Sequence, residues 1–151
     1  MAVMCGMNKL KRISLFVLRS GLGWVFFCAG ITKVLNPAWS AEKFLQGAKT
    51  FPELFNWFAS PGMLPITNFM NEWGLTLLGV SLILGIFVRW SAPLGVLLMA
   101  LYYLPVLQFP YPNANSFIVD EHIIYIAVLI VLVVFRTGNY WGLEKYFRKN
   151  K

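Results

Sequence analysis

The sequence predicts an all-α membrane protein, a four-transmembrane-helix bundle with short interfacial helices in its first external loop. Three observations predict it. Of the 151 residues, 58% are hydrophobic and only 13% charged, whereas a soluble domain carries about 25% charged residues. No Lys or Arg occurs between Arg89 and Arg136. Basic residues gather instead at the two ends, with Lys9, Lys11 and Arg12 before the first apolar run and Lys145, Arg148, Lys149 and Lys151 after the last. Such flanks suit helices that face an anionic inner leaflet. With no second composition regime and no linker, residues 1–151 form a single domain.

The first span is expected at about 13–35, long enough for ~30 Å of hydrocarbon at ~1.5 Å per residue, and Asn36-Pro37 ends it. The run exceeds the ~7–15 apolar residues of a signal peptide. After it, Pro37 opens a short amphipathic piece with Trp39, Phe44 and Leu45, and Glu53 to Ala59 forms another with Phe55, Trp57 and Phe58. Neither is long enough to cross, and tryptophan favours the headgroup level, so both are expected on the outer surface. The second span is expected at about 64–88, with Arg89-Trp90-Ser91 as a tight cytoplasmic turn. The third follows at 92–109 with Pro93 in its first turn, and the fourth at 117–135. The tail from Tyr140 to Lys151 mixes aromatic and basic residues and is expected on the inner membrane face. An even number of spans with both termini cytoplasmic satisfies the positive-inside rule best, in a multi-pass protein of the plasma (inner) membrane.

Ionisable groups inside a span cost about 2.5–3.5 kcal/mol on insertion scales, so each needs a reason. In the first span Arg19, Gly23, Phe26, Gly30 and Lys33 fall on one face at ~100° per residue. Glycines there allow close helix contact. The two cations either snorkel to the two membrane surfaces or serve inside the bundle. In the second span Asn68, Glu72 and Gly79 share a face. The short stem of Glu72 cannot snorkel, so its carboxylate is expected to pair with a first-span cation, Lys33 before Arg19. The fourth span begins Asp120-Glu121-His122. The two acids suit a helix N-terminus, and His122, the one histidine of the chain, is either a hydrogen-bonded core group or a proton carrier. Lys33, Asn68, Glu72, Gln108, Asp120, Glu121 and His122 all fall near the outer ends of their helices. They describe a convergent polar pocket.

Several chemistries drop out. One histidine cannot give bis-histidine haem ligation, and the acids beside it make a poor metal site without a second nitrogen. No phosphate-binding glycine loop follows a strand, so no bound metal, haem or nucleotide is expected. Cys5 and Cys28 have no redox or metal spacing. The net charge of +7 is explained by the membrane flanks rather than by nucleic acid.

Arg19-x-x-x-Gly23, Ala29-Gly30-x-x-Lys33, Asn36-Pro37-Ala38-Trp39, Glu72-Trp73-Gly74, Leu84-Gly85-Ile86-Phe87-x-Arg89, Asp120-Glu121-His122 and Gly142-Leu143-Glu144 occur in this order. The set resembles the DoxX family, which includes the membrane subunit of thiosulfate:quinone oxidoreductase. That resemblance implies a four-helix membrane protein associated with electron transfer to quinone. On this reading quinone is the substrate, with thiosulfate or a related sulfur donor. Glu72 and His122 are the catalytic proton carriers; Arg19, Lys33, Asn68, Asp120 and Glu121 bind substrate. Partners would be the lipid bilayer and a soluble redox protein or second subunit. The alternative is a non-catalytic anchor for such a redox partner. A small-solute transporter is disfavoured, because there is no inverted repeat.

The charge asymmetry predicts that a periplasm-active phosphatase fused after Lys151 is inactive and one inserted near Asn113 is active. High activity at Lys151 would overturn the topology.

Overall fold

The computed structural model describes residues 8–113, 116–139 and 141–144. Six helices follow one another: α1 (Lys9–Val34), α2 (Glu42–Gln46), α3 (Pro52–Phe58), α4 (Leu64–Leu84), α5 (Val88–Val106) and α6 (Glu121–Val134), with a 3-10 turn at Thr137–Asn139. No strand occurs among the described residues; isolated bridges pair Gln108 with Tyr111 and Asn113 with Ser116. The helical class and the two short helices of the first long loop are those expected. Their boundaries differ in instructive ways.

Helix α1 has 26 residues, about 39 Å, and reaches back to Lys9. Helix α4 stops at Leu84, four residues before the expected end at 88, because Gly85 takes φ +65° as its C-cap. A left-handed residue at that place is a standard helix stop, and glycine adopts it without strain. The turn is therefore Gly85-Ile86-Phe87. Arg89-Trp90-Ser91, expected to be the turn, lies in the opening of α5, and Pro93 lies inside that helix. The third segment consequently runs 88–106 rather than 92–109. Helix α6 begins four residues later than the expected 117, because Asp120 is extended (φ −124°, ψ −171°) and caps it. At 14 residues it is about 21 Å long, against ~30 Å of hydrocarbon. Among the described residues only α1 is both long and apolar enough to cross a membrane by length and composition.

Two helix pairs make the body. Helix α1 packs along α4, and α5 packs along α6; the α4–α5 seam between the pairs is looser. Close α1–α4 contact depends on missing side chains. A methyl group at Gly23 would lie 2.9 Å from the Ile83 amide nitrogen, one at Gly30 would overlap the Thr76 backbone, and one at Gly79 would overlap the backbone of Phe27. The axes thus approach backbone to backbone, as small residues permit. Leu22, Phe26, Leu78, Leu82, Leu129 and Leu132 fill the space among the four long helices. Trp24, Phe69, Leu77, Leu94, Leu97 and Val134 face outward, while Arg19 and Asp120 are buried.

A second small core lies under the first loop, where Ala41, Leu45, Ala48, Phe55 and Ala59 pack with Leu64 and Leu104. The Lys49 amide donates to the Pro105 carbonyl at 2.9 Å, and Thr50 Oγ1 donates to the Leu107 carbonyl. These bonds hold α2 and α3 over the end of α5. At the opposite pole, the Leu143 and Glu144 amides donate to the Leu84 and Gly85 carbonyls, each at 3.1 Å. Residues 141–144 thereby fold back onto the end of α4; Tyr140 and Lys145–Lys151, expected on the inner membrane face, lie outside the described residues.

Substituting Gly79→Leu must push α1 from α4 and should cost about 3 kcal/mol or more. Gly21 has nothing within 4 Å, so Gly21→Leu should change stability by no more than about 0.5 kcal/mol. Denaturation of the two variants in detergent checks the contrast; equal stability would show that α1 and α4 do not meet at Gly79.

Candidate functional site

Near the carboxyl end of α1, Lys33 Nζ donates to Tyr102 Oη of α5 at 2.8 Å. Tyr102 in turn donates to Asn71 Oδ1 of α4, and Asn71 Nδ2 donates to the Thr67 carbonyl at 2.7 Å. This chain crosses three helices. The ammonium also sits over the rings of Trp39, at 4.8 Å, and Tyr102, at 5.0 Å, and the negative faces of both rings attract it. Lys33 is half-buried rather than snorkelled free, because the Trp39 loop folds across it.

Beside these groups is a cavity of about 320 Å³. Its roof is Phe44 and Leu45 of α2 with Phe55 and Phe58 of α3; its walls are Ile66 and Met70 of α4 and Leu98 and Leu101 of α5. Lys33, Ser40, Thr67, Asn71 and Tyr102 supply its polar atoms. An apolar chamber with a few convergent polar groups is the usual form of a small-molecule site.

Asp120 and His122 form a second unit on the other side of Tyr102. The Asp120 carboxylate accepts from the backbone amides of His122, at 3.0 Å, and Ile123, at 3.2 Å. Its second oxygen lies 2.7 Å from His122 Nδ1. A carboxylate at that distance keeps the proton on Nδ1, which leaves the lone pair on Nε2. The His122 ring stacks on Tyr102, with centroids 6.0 Å apart and planes at 22°. Asp120 is buried and is therefore a capping and positioning group, whereas its neighbour Glu121 is exposed.

The remaining residues named from sequence fall elsewhere. Asn68 accepts from the Ala41 amide at 3.0 Å and lies 3.4 Å from Ser40 Oγ, so it docks the loop onto α4. Glu72 lies on α4 next to Asn71 and is half-buried. Its carboxylate makes no ion pair with Lys33 among the described residues. The expected pairing is one of proximity and not of contact: Glu72 is near enough to act on Lys33 electrostatically, while the Tyr102 hydroxyl is the group hydrogen-bonded to the ammonium. Gln108 does not face the cavity either, since its backbone pairs with Tyr111 beyond the end of α5.

Arg19 is separate from all of these. It lies 33 − 19 = 14 positions from Lys33 on α1, about 21 Å along the axis. Fully buried, it donates from Nη1 to the Thr137 carbonyl at 2.7 Å, and its guanidinium packs against Gly85 and Gly142. Those neighbours follow the carboxyl ends of α6 and α4, whose partial negative charges favour a cation. Arg19 is therefore a clamp at the opposite pole, and neither a snorkelled charge nor part of the cavity.

Tyr102 was not marked out by sequence, although it is the centre of the polar chain. A tyrosine in an apolar helix reads as a core aromatic. Its place near the carboxyl end of α5 does not separate it from Tyr103 beside it, which donates to the Ile118 carbonyl.

The fold and cavity define a helical protein with an aromatic-roofed, partly polar chamber at one pole. The chain belongs to the DoxX family, whose model matches residues 14–107, more than half of the sequence. That span carries most of α1, all of α2 to α5 and the whole cavity; Asp120 and His122 lie beyond it. Membership makes the chain a membrane protein. Neither a curated protein nor a solved structure matches it.

Proposed function

We propose that the chain is the integral membrane subunit of a quinone-linked oxidoreductase, with four spans built on α1, α4, α5 and α6 and both termini cytoplasmic. The observation that carries the reading is the Lys33–Tyr102–Asn71 chain at the polar end of an otherwise aromatic and aliphatic cavity. A quinone is a flat apolar ring with two carbonyl acceptors. Aromatic walls suit its ring, and the Lys33 ammonium, which has N–H donors beyond the one given to Tyr102, is a donor for a carbonyl oxygen, with Tyr102 and Asn71 holding it in place.

Reduction of a quinone takes two electrons and two protons. The electrons come from a sulfur-compound donor, thiosulfate or a related species, directly or through a soluble redox partner. Charge developing on the quinone oxygen is met by the Lys33 ammonium, which Tyr102 already orients. His122 Nε2, with Nδ1 held by Asp120, serves as the group that receives and passes protons, and Glu72 serves beside it. Arg19, Asn68 and Glu121 drop from the substrate-binding set; they hold the fold or face outward.

The test is purified protein in detergent, titrated with a short-chain quinone and then assayed for its reduction across a panel of sulfur donors. Lys33→Met and Tyr102→Phe should each weaken quinone binding about tenfold or more, the size of a hydrogen bond to a charged or buried group. His122→Gln should keep binding and lose turnover, because the amide cannot cycle a proton. Asp120→Asn should do less, since the amide oxygen still caps α6. Absence of quinone binding to the unmodified protein would overturn the proposal in favour of a non-catalytic anchor for a redox partner.

A further inference from the structure

The α4–α5 seam closes only where Gly95 admits Leu78; a methyl group at Gly95 would lie 2.8 Å from the Leu78 side chain. Around that point the two helices leave an open groove of about 590 Å³. Its lining between Gly74 and Leu84 is apolar except for Ser81, over ten residues and about 15 Å of helix. Met70, Leu98 and Leu101 are walls of both the groove and the Lys33 cavity. The polar, roofed cavity and the long apolar groove open to the surroundings therefore adjoin at these three side chains.

We propose that this groove holds the isoprenoid tail of the quinone whose ring occupies the Lys33–Tyr102 cavity, an inference that rests on the quinone reading of that cavity. The polarity of the two ends matches an amphiphile entered from its head. A phospholipid acyl chain fits less well, because its phosphate would have to occupy an aromatic-roofed chamber with a single ammonium. A helix from a second copy would cover the groove and leave the cavity unfilled. Space along the groove is real: the Cβ position at Gly74 has Leu98 as its nearest neighbour, at 3.9 Å. Trp90, Leu94 and Leu97 stand exposed along the outer edge of α5, where they can close over a chain lying in the groove.

The full-length protein in micelles is titrated with a tailless dimethoxybenzoquinone and with the same ring bearing a farnesyl tail, using quenching of tryptophan fluorescence. The farnesylated compound should bind at least about tenfold more tightly. Gly74→Phe fills the groove and should abolish that preference while leaving the affinity of the tailless ring unchanged. If neither compound binds the unmodified protein, the quinone reading fails and the groove assignment with it. If both bind and the preference survives Gly74→Phe, the groove assignment alone is overturned. Photolabelling of the unmodified chain avoids dependence on the variant's folding. A photoreactive group at the end of the tail should mark groove residues from Leu77 to Leu94. Adducts on the outer faces of α1 or α6 would contradict the assignment, as would equal labelling by phosphatidylglycerol carrying the same group in its acyl chain.

Discussion

Close approach of α1 and α4 is the constraint on which the rest of the structure depends. Gly23, Gly30 and Gly79 remove the side chains that would hold the two backbones apart. In a membrane, apolar side chains gain little by leaving lipid, so shape and close packing between helices carry the association. The face of α1 that makes this contact also carries Arg19 at one end and Lys33 at the other. Packing along the middle therefore fixes both cations inside the bundle, one at each pole.

The two cations are handled differently. Arg19 donates to the Thr137 carbonyl and packs where the carboxyl ends of two helices meet, whose partial negative charges favour a cation. Its planar fork suits such fixed acceptors. Lys33 meets two aromatic faces and a hydroxyl and borders a cavity. None of these direct contacts bears a charge, and Glu72 acts on the ammonium only from beyond contact distance, so Lys33 retains the capacity to meet negative charge arriving from a ligand. One pole holds the fold together and the other is available for chemistry.

The inward face of α1 was legible because helical periodicity fixes which residues share a side: Arg19, Gly23, Phe26 and Gly30 all proved buried. Element ends were less legible. Gly85 offered a stop signal for α4, but the apolar Ile86, Phe87 and Val88 beyond it continue the hydrophobic run. Phe117, Ile118 and Val119 likewise read as helix by hydropathy, yet Asp120 spends its side chain on capping and leaves them outside α6. Position along the chain also gives depth without giving direction. It placed Lys33, Glu72 and His122 at one pole, and left open that a tyrosine from α5 stands between the lysine and the histidine.

A quinone bound as proposed has one carbonyl hydrogen-bonded to Lys33, which Tyr102 holds in place. Infrared difference spectroscopy of a bound quinone carrying carbon-13 at its carbonyl positions reads this directly. A hydrogen bond from an ammonium weakens the carbonyl bond, so one band should move to lower frequency on binding and return toward the free position in Lys33→Met. Two carbonyl bands at their free positions in the unmodified protein, with the quinone shown to be bound, would contradict the account.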